Sequence, residues 1–287
     1  MTLVSARSPV TADERRGPRG RRAAASALCA AAFAFVAPAA GCSSPTPQLT
    51  PRAAISLAAD RAQDVTFMTA TFSHRVSSAP AATVGTLELQ TKPLLAASDA
   101  TASADGQTTS IDEIVSTTAV YLKGSLVAAV TGQTRKPWAE MRFARLSGSP
   151  GASFASVLLN MPNGDPLTET AMLAAAKNVR SLGTQVVNGI RTTHYTGSFT
   201  ASAGLTSLPP ALRDQVAPLL TMVSGDIRFD AWIDANHVVR RISEVEDLGG
   251  ETVHSTMNVT SVNRPVHIAV PPASETVVLP KNVFIGA

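Results

Sequence analysis

The clearest regular pattern in this 287-residue chain is a period-two alternation across residues 226–245. Apolar side chains occupy every second position from Ile227 to Ile233, and polar or aromatic side chains stand between them. Successive side chains of a β-strand point to opposite faces, so this spacing predicts a strand with one buried face. Ala235-Asn236 supplies a turn to a second strand, and the two together predict an antiparallel sheet.

Shorter segments with strand character occur along the rest of the chain. They are residues 66–76, 83–90, 94–102, 110–116, 118–123, 138–146, 185–200, 253–259 and 266–270. Asn188-Gly189, inside the seventh segment, is one of the strongest hairpin signals in any sequence. No repeat of fixed period is present, and nothing marks a domain boundary after Pro51.

Helical periodicity is present in four other segments. They are residues 51–65, 154–161, 167–179 and 208–223. The prolines and glycine of P-N-G-D-P separate the second helix from the third. Strands and helices together predict a single α+β domain over residues 51–280, with a large antiparallel sheet and helices gathered on one face. Residues 281–287 would form a C-terminal tail.

The first 41 residues have the layout of a secretory signal peptide. Six arginines precede an uncharged apolar block, Ala23–Ala40, and small residues follow it. That order (basic, apolar, small) is typical of an export signal. The richness in alanine and the lack of a second basic flank argue against a membrane-spanning helix.

The stretch A-A-G-C, which ends at Cys42, resembles the lipobox of bacterial lipoproteins. The resemblance implies cleavage before Cys42, a diacylglyceryl thioether on its sulfur, and attachment to the extracytoplasmic face of the cell membrane. Two or three acyl chains make such an anchor durable. Residues 42–50 would then be a flexible tether, because they are rich in Ser, Thr and Pro. The alternative is an ordinary secreted protein with an unpaired thiol.

Charge and cysteine content exclude several classes of function. Removal of residues 1–41 takes six basic and two acidic residues from totals of 24 and 21, which leaves a net charge of −1. Without a basic cluster, nucleic acid is not an expected partner. Cys29 would leave with the signal peptide, so the mature chain would have no internal disulfide and no thiolate metal site. No metal or other cofactor is expected.

Common catalytic signatures are absent from the sequence, including G-x-S-x-G, H-E-x-x-H, G-x-G-x-x-G and the P-loop lysine motif. Asp230 and Asp234 share a strand face at a spacing that would suit a glycosidase pair. A solvated strand exterior is the favoured interpretation, because neither aspartate has an apolar neighbour to raise its pKa. The chain is therefore predicted not to be an enzyme.

Several stretches resemble the family of actinobacterial lipoproteins that includes LppX and LprG. They are Met172–Phe199, Phe229–Ile242, Val266–Pro272, Tyr121–Gly124 and Lys136–Phe143. The resemblance implies a strongly curved, half-barrel antiparallel sheet, similar to that of the carriers LolA and LolB, with helices packed on its concave face. It also implies that the gap between sheet and helices receives acyl chains of envelope lipids or lipoglycans.

On this hypothesis the protein is a monomeric, membrane-anchored lipoprotein that binds or transfers acylated lipids in an apolar cavity. The candidates for the cavity wall are Phe154, Val157, Leu158, Leu212, Val216, Ile227, Phe229 and Ile233. The same side chains could equally form a solid core. The alternative function is a non-enzymatic envelope scaffold or signalling module that binds a protein partner.

Overall fold

The computed structural model describes most of the chain between residues 49 and 279. The described residues are 49–78, 82–104, 106–125, 127–128, 135–143, 166–210, 213, 216–217, 220–221 and 223–279. The predicted helix 154–161, the signal peptide, most of the tether and the C-terminal tail lie outside them.

Strands dominate the described part of the chain. They are β1 (Phe67–Val76), β2 (Ala82–Thr91), β3 (Leu94–Ala104), β4 (Gln107–Ser116), β5 (Ala119–Gly124), β6 (Trp138–Arg142), β7 (Lys177–Val187), β8 (Ile190–Thr200), β9 (Val223–Asp234), β10 (Val239–Leu248), β11 (Glu251–Val262) and β12 (Thr276–Val278). The α-helices with defined bounds are α1 (Pro51–Ala62), α2 (Pro166–Met172) and α3 (Ala201–Ser207). Short 3₁₀ turns occupy Leu173–Ala175 and Ala273–Glu275.

These twelve strands form one sheet, in the order β12-β6-β5-β4-β3-β2-β1-β11-β10-β9-β8-β7. The sheet consists of two antiparallel meanders, β1–β6 and β7–β11, joined where β1 pairs with β11. β12 alone among the described strands pairs in parallel, and it adds to β6. The two ends of the sheet are β12 and β7, so the sheet is open.

Helix α1 begins and packs as the sequence predicts. The Thr50 hydroxyl accepts a hydrogen bond from the Ala53 N–H, and Pro51 occupies the first helical position, where no N–H is needed. Its buried face consists of Ala54, Ile55, Ala58, Ala59 and Ala62. Because these side chains are small, the helix can approach the sheet closely.

The helices lie on one face of the sheet, which is called the inner face below. A cross-strand row of Phe72, Met257, Ile242 and Ala231 defines it through the pairing of β1, β11, β10 and β9. Side chains of α1, α2 and α3 belong to the same hydrophobic cluster as Met257, Ile242 and Ala231. The predicted α+β class, with helices gathered on one face of an antiparallel sheet, is confirmed.

Two local predictions are wrong. Residues 177–179, which carry helical periodicity, belong to strand β7, because α2 ends at Met172 and the hairpin at Asn188-Gly189 pairs β7 with β8. Both turn residues have positive φ, 50° and 77°, as a tight hairpin requires. The predicted strand over residues 266–270 is absent from the described structure. The last strand of the sheet is instead β12, which pairs with β6.

One helix and one strand boundary also differ from the prediction. Helix α3 was not predicted, although Thr200 caps it by accepting a hydrogen bond from the Ala203 N–H. Strand β6 ends at Arg142 rather than at residue 146. The predicted helix over 208–223 agrees with the described helical residues between 210 and 220, where the Arg213 N–H donates to the Pro209 carbonyl and the Thr221 N–H donates to the Ala217 carbonyl. Its predicted ends are wrong, because Leu208 is extended and Val223 already belongs to β9.

Candidate functional site

The inner face carries two hydrophobic clusters. The first lies on β7–β11 and includes side chains of α1, α2 and α3, with Phe199 and Phe229 each 1 % exposed. The second lies mainly on β1–β5, and its buried strand residues are Met68, Phe72, Leu87, Leu89, Ala96, Ala100, Val115, Val120 and Val259. In the described part of the chain, Val65, Phe143 and Leu167 are its members outside the strands. The second cluster is thus a broad apolar surface built almost entirely by strands, called the β1–β5 inner face below.

Four of the eight predicted wall residues are described, and all four belong to the first cluster. Ile227, Phe229 and Ile233 are at most 3 % exposed, and Val216 is partly buried against them. Ile233 also forms part of the wall of a cleft beside α1. Phe154, Val157, Leu158 and Leu212 lie outside the described residues, so a role for them in a cavity stays a prediction.

Two clefts flank helix α1 in the described structure. One has a volume of about 380 Å³ and lies between the start of α1 and strands β7–β9. The other, of about 30 Å³, lies between the end of α1, α2 and strands β1, β10 and β11. His237, in the β9–β10 turn, borders both. Only the first falls within the range of roughly 300–1,000 Å³ that is usual for small-molecule sites.

The larger cleft has mixed walls. Leu49, Ala54 and Ile233 supply apolar contacts, while Arg191 and the Tyr195 ring with its hydroxyl add polar ones. Further hydroxyl groups come from Ser181, Thr184, Thr192 and Thr193. The Thr192 hydroxyl is already engaged, because it donates a hydrogen bond to the Gln185 carbonyl at 2.9 Å. A ligand with both an apolar and a polar part would fit such a cleft better than a purely apolar one.

The two aspartates considered as an acid/base pair have separate structural roles. Asp230 accepts a hydrogen bond at 2.8 Å from His194 Nε2, and its side chain is 44 % exposed. Asp234 is buried rather than solvated, which corrects the sequence-based expectation for this residue. Its carboxylate accepts hydrogen bonds from the Asn236 and Val238 N–H groups and from Arg240 Nε. Asp234 therefore fixes the β9–β10 turn.

A set of carboxyl groups on the inner face was not predicted from the sequence. Glu113 in β4 is 4 % exposed, and its Oε1 atom has no hydrogen-bond partner in the described part of the chain. Burial raises the pKa of Glu113 to about 8, so the group is mostly neutral at pH 7. The signal was present in the sequence, because alternation along β4 places Glu113 on the same face as Ile111 and Val115.

Strand β10 contributes two more such groups, Glu244 and Glu246. Burial, followed by the charge of Glu246, raises the pKa of Glu244 to about 8, and burial raises the pKa of Glu246 as well. The Glu244 Oε1 atom is buried and has no hydrogen-bond partner among the residues that the structure describes. In the adjoining strands, the hydroxyl of Ser255, the β11 partner of Glu244, is 3.0 Å from His74 Nδ1. The β10 end of the inner face is therefore more polar than its β1–β5 part.

The described residues contain no group of three or more His, Cys, Asp and Glu side chains that could hold a metal ion. Among the same residues, no helix has the length and apolar character needed to cross a membrane.

One curated protein is similar to this chain over part of its length. No protein-family model matches the chain. An uncharacterized 31.2 kDa protein of Streptomyces griseus, from the rplA-rplJ intergenic region, is 27 % identical over 162 residues. The match covers 54 % of this chain and 51 % of that protein, so the chain spans about half the length of the curated relative.

Two mycobacterial structures resemble the chain over most of their own length. LprF of Mycobacterium bovis is 14 % identical, with a TM-score of 0.51, and the match covers 77 % of this chain and 96 % of LprF. The lipoprotein LppX of Mycobacterium tuberculosis is 16 % identical, with a TM-score of 0.46, over 76 % of this chain and 98 % of LppX. At an identity this low, the similarity to LprF shows the fold alone. The chain has the curved, open-sheet fold of LprF, which confirms at the level of fold the resemblance indicated by its sequence motifs.

Proposed function

We propose that the protein is an envelope lipoprotein that, besides its own lipid anchor, binds the acyl chain of a separate lipid molecule against the β1–β5 inner face. The observation that carries this proposal is the contrast between the two halves of the inner face. Helices α1, α2 and α3 pack on the β7–β11 half, whereas Leu167 is the one residue of these three helices in the described part of the second cluster. An apolar surface that these three helices do not cover can bind a lipid chain in place of other side chains.

The side chains of the β1–β5 inner face suit an acyl chain. Ala96 and Ala100 leave a shallow floor in β3. Leu89 on β2 and Val115 on β4 flank Ala96, and Val120 on β5 follows Val115 in the same row. Each methylene transferred from water to such a surface contributes about 0.8 kcal/mol. A chain of roughly ten methylenes would therefore be held firmly without any charged contact.

The larger cleft supports the same proposal because it is close in sequence to the predicted membrane anchor. Leu49 in its wall stands seven residues after Cys42, the predicted anchor. An extended chain spans at most about 3.5 Å per residue, so the cleft would lie within roughly 25 Å of the membrane surface. Arg191 and the hydroxyl groups of the cleft would then be placed to meet a polar head group. If the protein takes up a lipid at this cleft and releases it at another membrane, it is a lipid carrier on the extracytoplasmic face.

The direct test is to purify the full chain from an actinobacterial host and to analyse an organic extract by mass spectrometry. The covalent anchor stays on the protein and so does not contribute to the extract. We expect about one lipid per chain. Absence of lipid from every preparation would contradict the proposal and would leave the scaffold or signalling alternative.

A matched pair of variants on β3 locates the lipid. Ala96→Trp places a large ring on the inner face, between Leu89 and Val115, whereas Ala97→Trp places the same ring on the opposite face. We expect Ala96→Trp to reduce the recovered lipid several-fold and Ala97→Trp to leave it unchanged, with circular dichroism as a check that both variants fold. Equal lipid recovery from the two variants would exclude the β1–β5 inner face as the site.

A further inference from the structure

One polar pair interrupts the β1–β5 inner face. Glu113 on β4 stands directly opposite Ser98 on β3, and both are nearly buried, at 4 % and 6 % exposed. The next members of the same cross-strand row are apolar, with Leu122 on β5 and Leu87 on β2. The pair therefore lies within the surface to which an acyl chain is assigned above.

Within the described part of the chain, no group satisfies the Glu113 carboxyl completely. Its Oε1 atom is buried and has no hydrogen-bond partner among these residues. Asp112, the preceding residue, shows the usual arrangement: it points to the opposite face, where it forms a 2.8 Å ion pair with Lys123. A buried polar atom without a partner destabilises a fold, so a partner supplied from outside is a reasonable physical account of Glu113.

The chemistry of that partner follows from the surroundings. Burial keeps the Glu113 carboxyl mostly protonated at pH 7, so it has one O–H donor and one carbonyl acceptor. Its neighbours in the row, Ser98 and Leu122, carry no positive charge that could offset an anion. An ionic head group is therefore a poor fit. A ligand hydroxyl fits well, because it can accept from the carboxyl O–H and donate to the free oxygen.

We propose that Glu113 and Ser98 form a binding site for a hydroxyl group carried on the chain of the bound lipid. The preferred ligand class is then hydroxylated acyl lipids rather than plain saturated ones. This inference rests on the proposed lipid-binding function and adds chain specificity to it.

The experiment is a competition between two esters that differ by one oxygen atom. The full chain, stripped of bound lipid, is incubated with equal amounts of methyl stearate and one methyl hydroxystearate, and the bound esters are quantified by gas chromatography and mass spectrometry. Isomers with the hydroxyl at carbon 3, 10 or 12 sample different depths. We expect at least one isomer to be enriched about fivefold to tenfold, the ratio that corresponds to one buried hydrogen bond.

Variants at two adjacent positions identify the group responsible. Glu113→Leu should still bind methyl stearate but bring the ratio close to one. Glu113→Gln should keep part of the preference, because an amide both donates and accepts. Asp112→Leu also removes one carboxyl group from β4, but on the opposite face, and should leave the ratio of bound hydroxystearate to bound stearate unchanged.

The outcomes separate the two proposals. A ratio near one with every isomer, or a preference that persists in Glu113→Leu, would overturn the hydroxyl site while lipid binding stands. Failure of the unmodified protein to bind any ester would overturn the proposed function and this inference with it.

Discussion

The ring of Phe72 lies over Gly85, its direct partner on the neighbouring strand β2. A Cβ atom added at Gly85 would come within 2.6 Å of Phe72 Cζ and closer still to the Asp99 carbonyl oxygen. Since the conflict with Asp99 involves backbone, a side-chain rotation cannot relieve it. The absence of a side chain at position 85 therefore leaves the space that the Phe72 ring occupies on β2.

This contact predicts that Gly85→Ala destabilises the fold. Overpacking of this kind typically costs about 1–3 kcal/mol, and urea unfolding monitored by circular dichroism would measure it. Thr86→Ala, at the next and exposed position, serves as the control, with an expected change within about 0.5 kcal/mol. Equal stability of the two variants would show that β2 can shift to admit the methyl group.

The two aspartates of β9 should differ sharply when replaced by alanine. Asp234→Ala leaves the Arg240 guanidinium, only 15 % exposed, without its 2.7 Å partner, and it removes two hydrogen bonds that hold the turn. Loss of one partner of a buried ion pair costs about 3–5 kcal/mol. Asp230→Ala removes a half-exposed partner of His194 and should cost no more than about 1 kcal/mol.

Thermal or denaturant unfolding of both variants checks this difference. A small effect at Asp234 would mean that solvent reaches Arg240 more readily than its burial indicates.

Much of the sheet could be predicted because its signals are local. The alternation around Ile227 and Phe229 correctly predicts a strand with those side chains buried, and the Asn188-Gly189 turn correctly predicts a hairpin. Start signals at Pro51 likewise place α1 correctly. Each of these features depends on residues close together in the chain, so a single sequence is sufficient to reveal them.

The misassigned and missed features depend on distant partners. Residues 177–179 have helical spacing, but they belong to a strand because β8 pairs with Lys177 and Arg180 on either side of an irregularity in the register. Alternation in β4 places Glu113 on the inner face, yet its burial follows from the pairing of β4 with β3 and β5, which no local pattern specifies. The candidate site was therefore the part of the molecule least accessible to sequence reasoning.

The buried glutamates predict that stability falls as pH rises. Glu113 and Glu244 have pKa values of about 8 in the folded protein, against 4.5 for the ordinary side chain. Between these values the unfolded chain has released the protons that the folded chain still holds, so the free energy of unfolding decreases from about pH 5 to pH 8. The decrease should be on the order of a few kcal/mol.

Glu113→Gln and Glu244→Gln should each flatten this pH dependence, since an amide does not titrate. Urea unfolding at pH 5, 6.5 and 8 gives the slope for each protein. An unchanged slope in both variants would show that the two carboxyl groups reach solvent and ionise in the folded state.

Membrane attachment through Cys42 makes a prediction that the two cysteines of the precursor test together. Cys42→Ser removes the thiol that would carry the diacylglyceryl group, so the protein should move from the detergent phase to the aqueous phase in Triton X-114 partitioning, or accumulate as an unprocessed precursor. Cys29→Ser changes the other cysteine, which lies within the predicted signal peptide, and should leave both processing and partitioning unaltered. Detergent partitioning that survives Cys42→Ser, with normal cleavage, would exclude a lipid anchor at this residue and would require the acyl-binding surface to reach its membrane by another route.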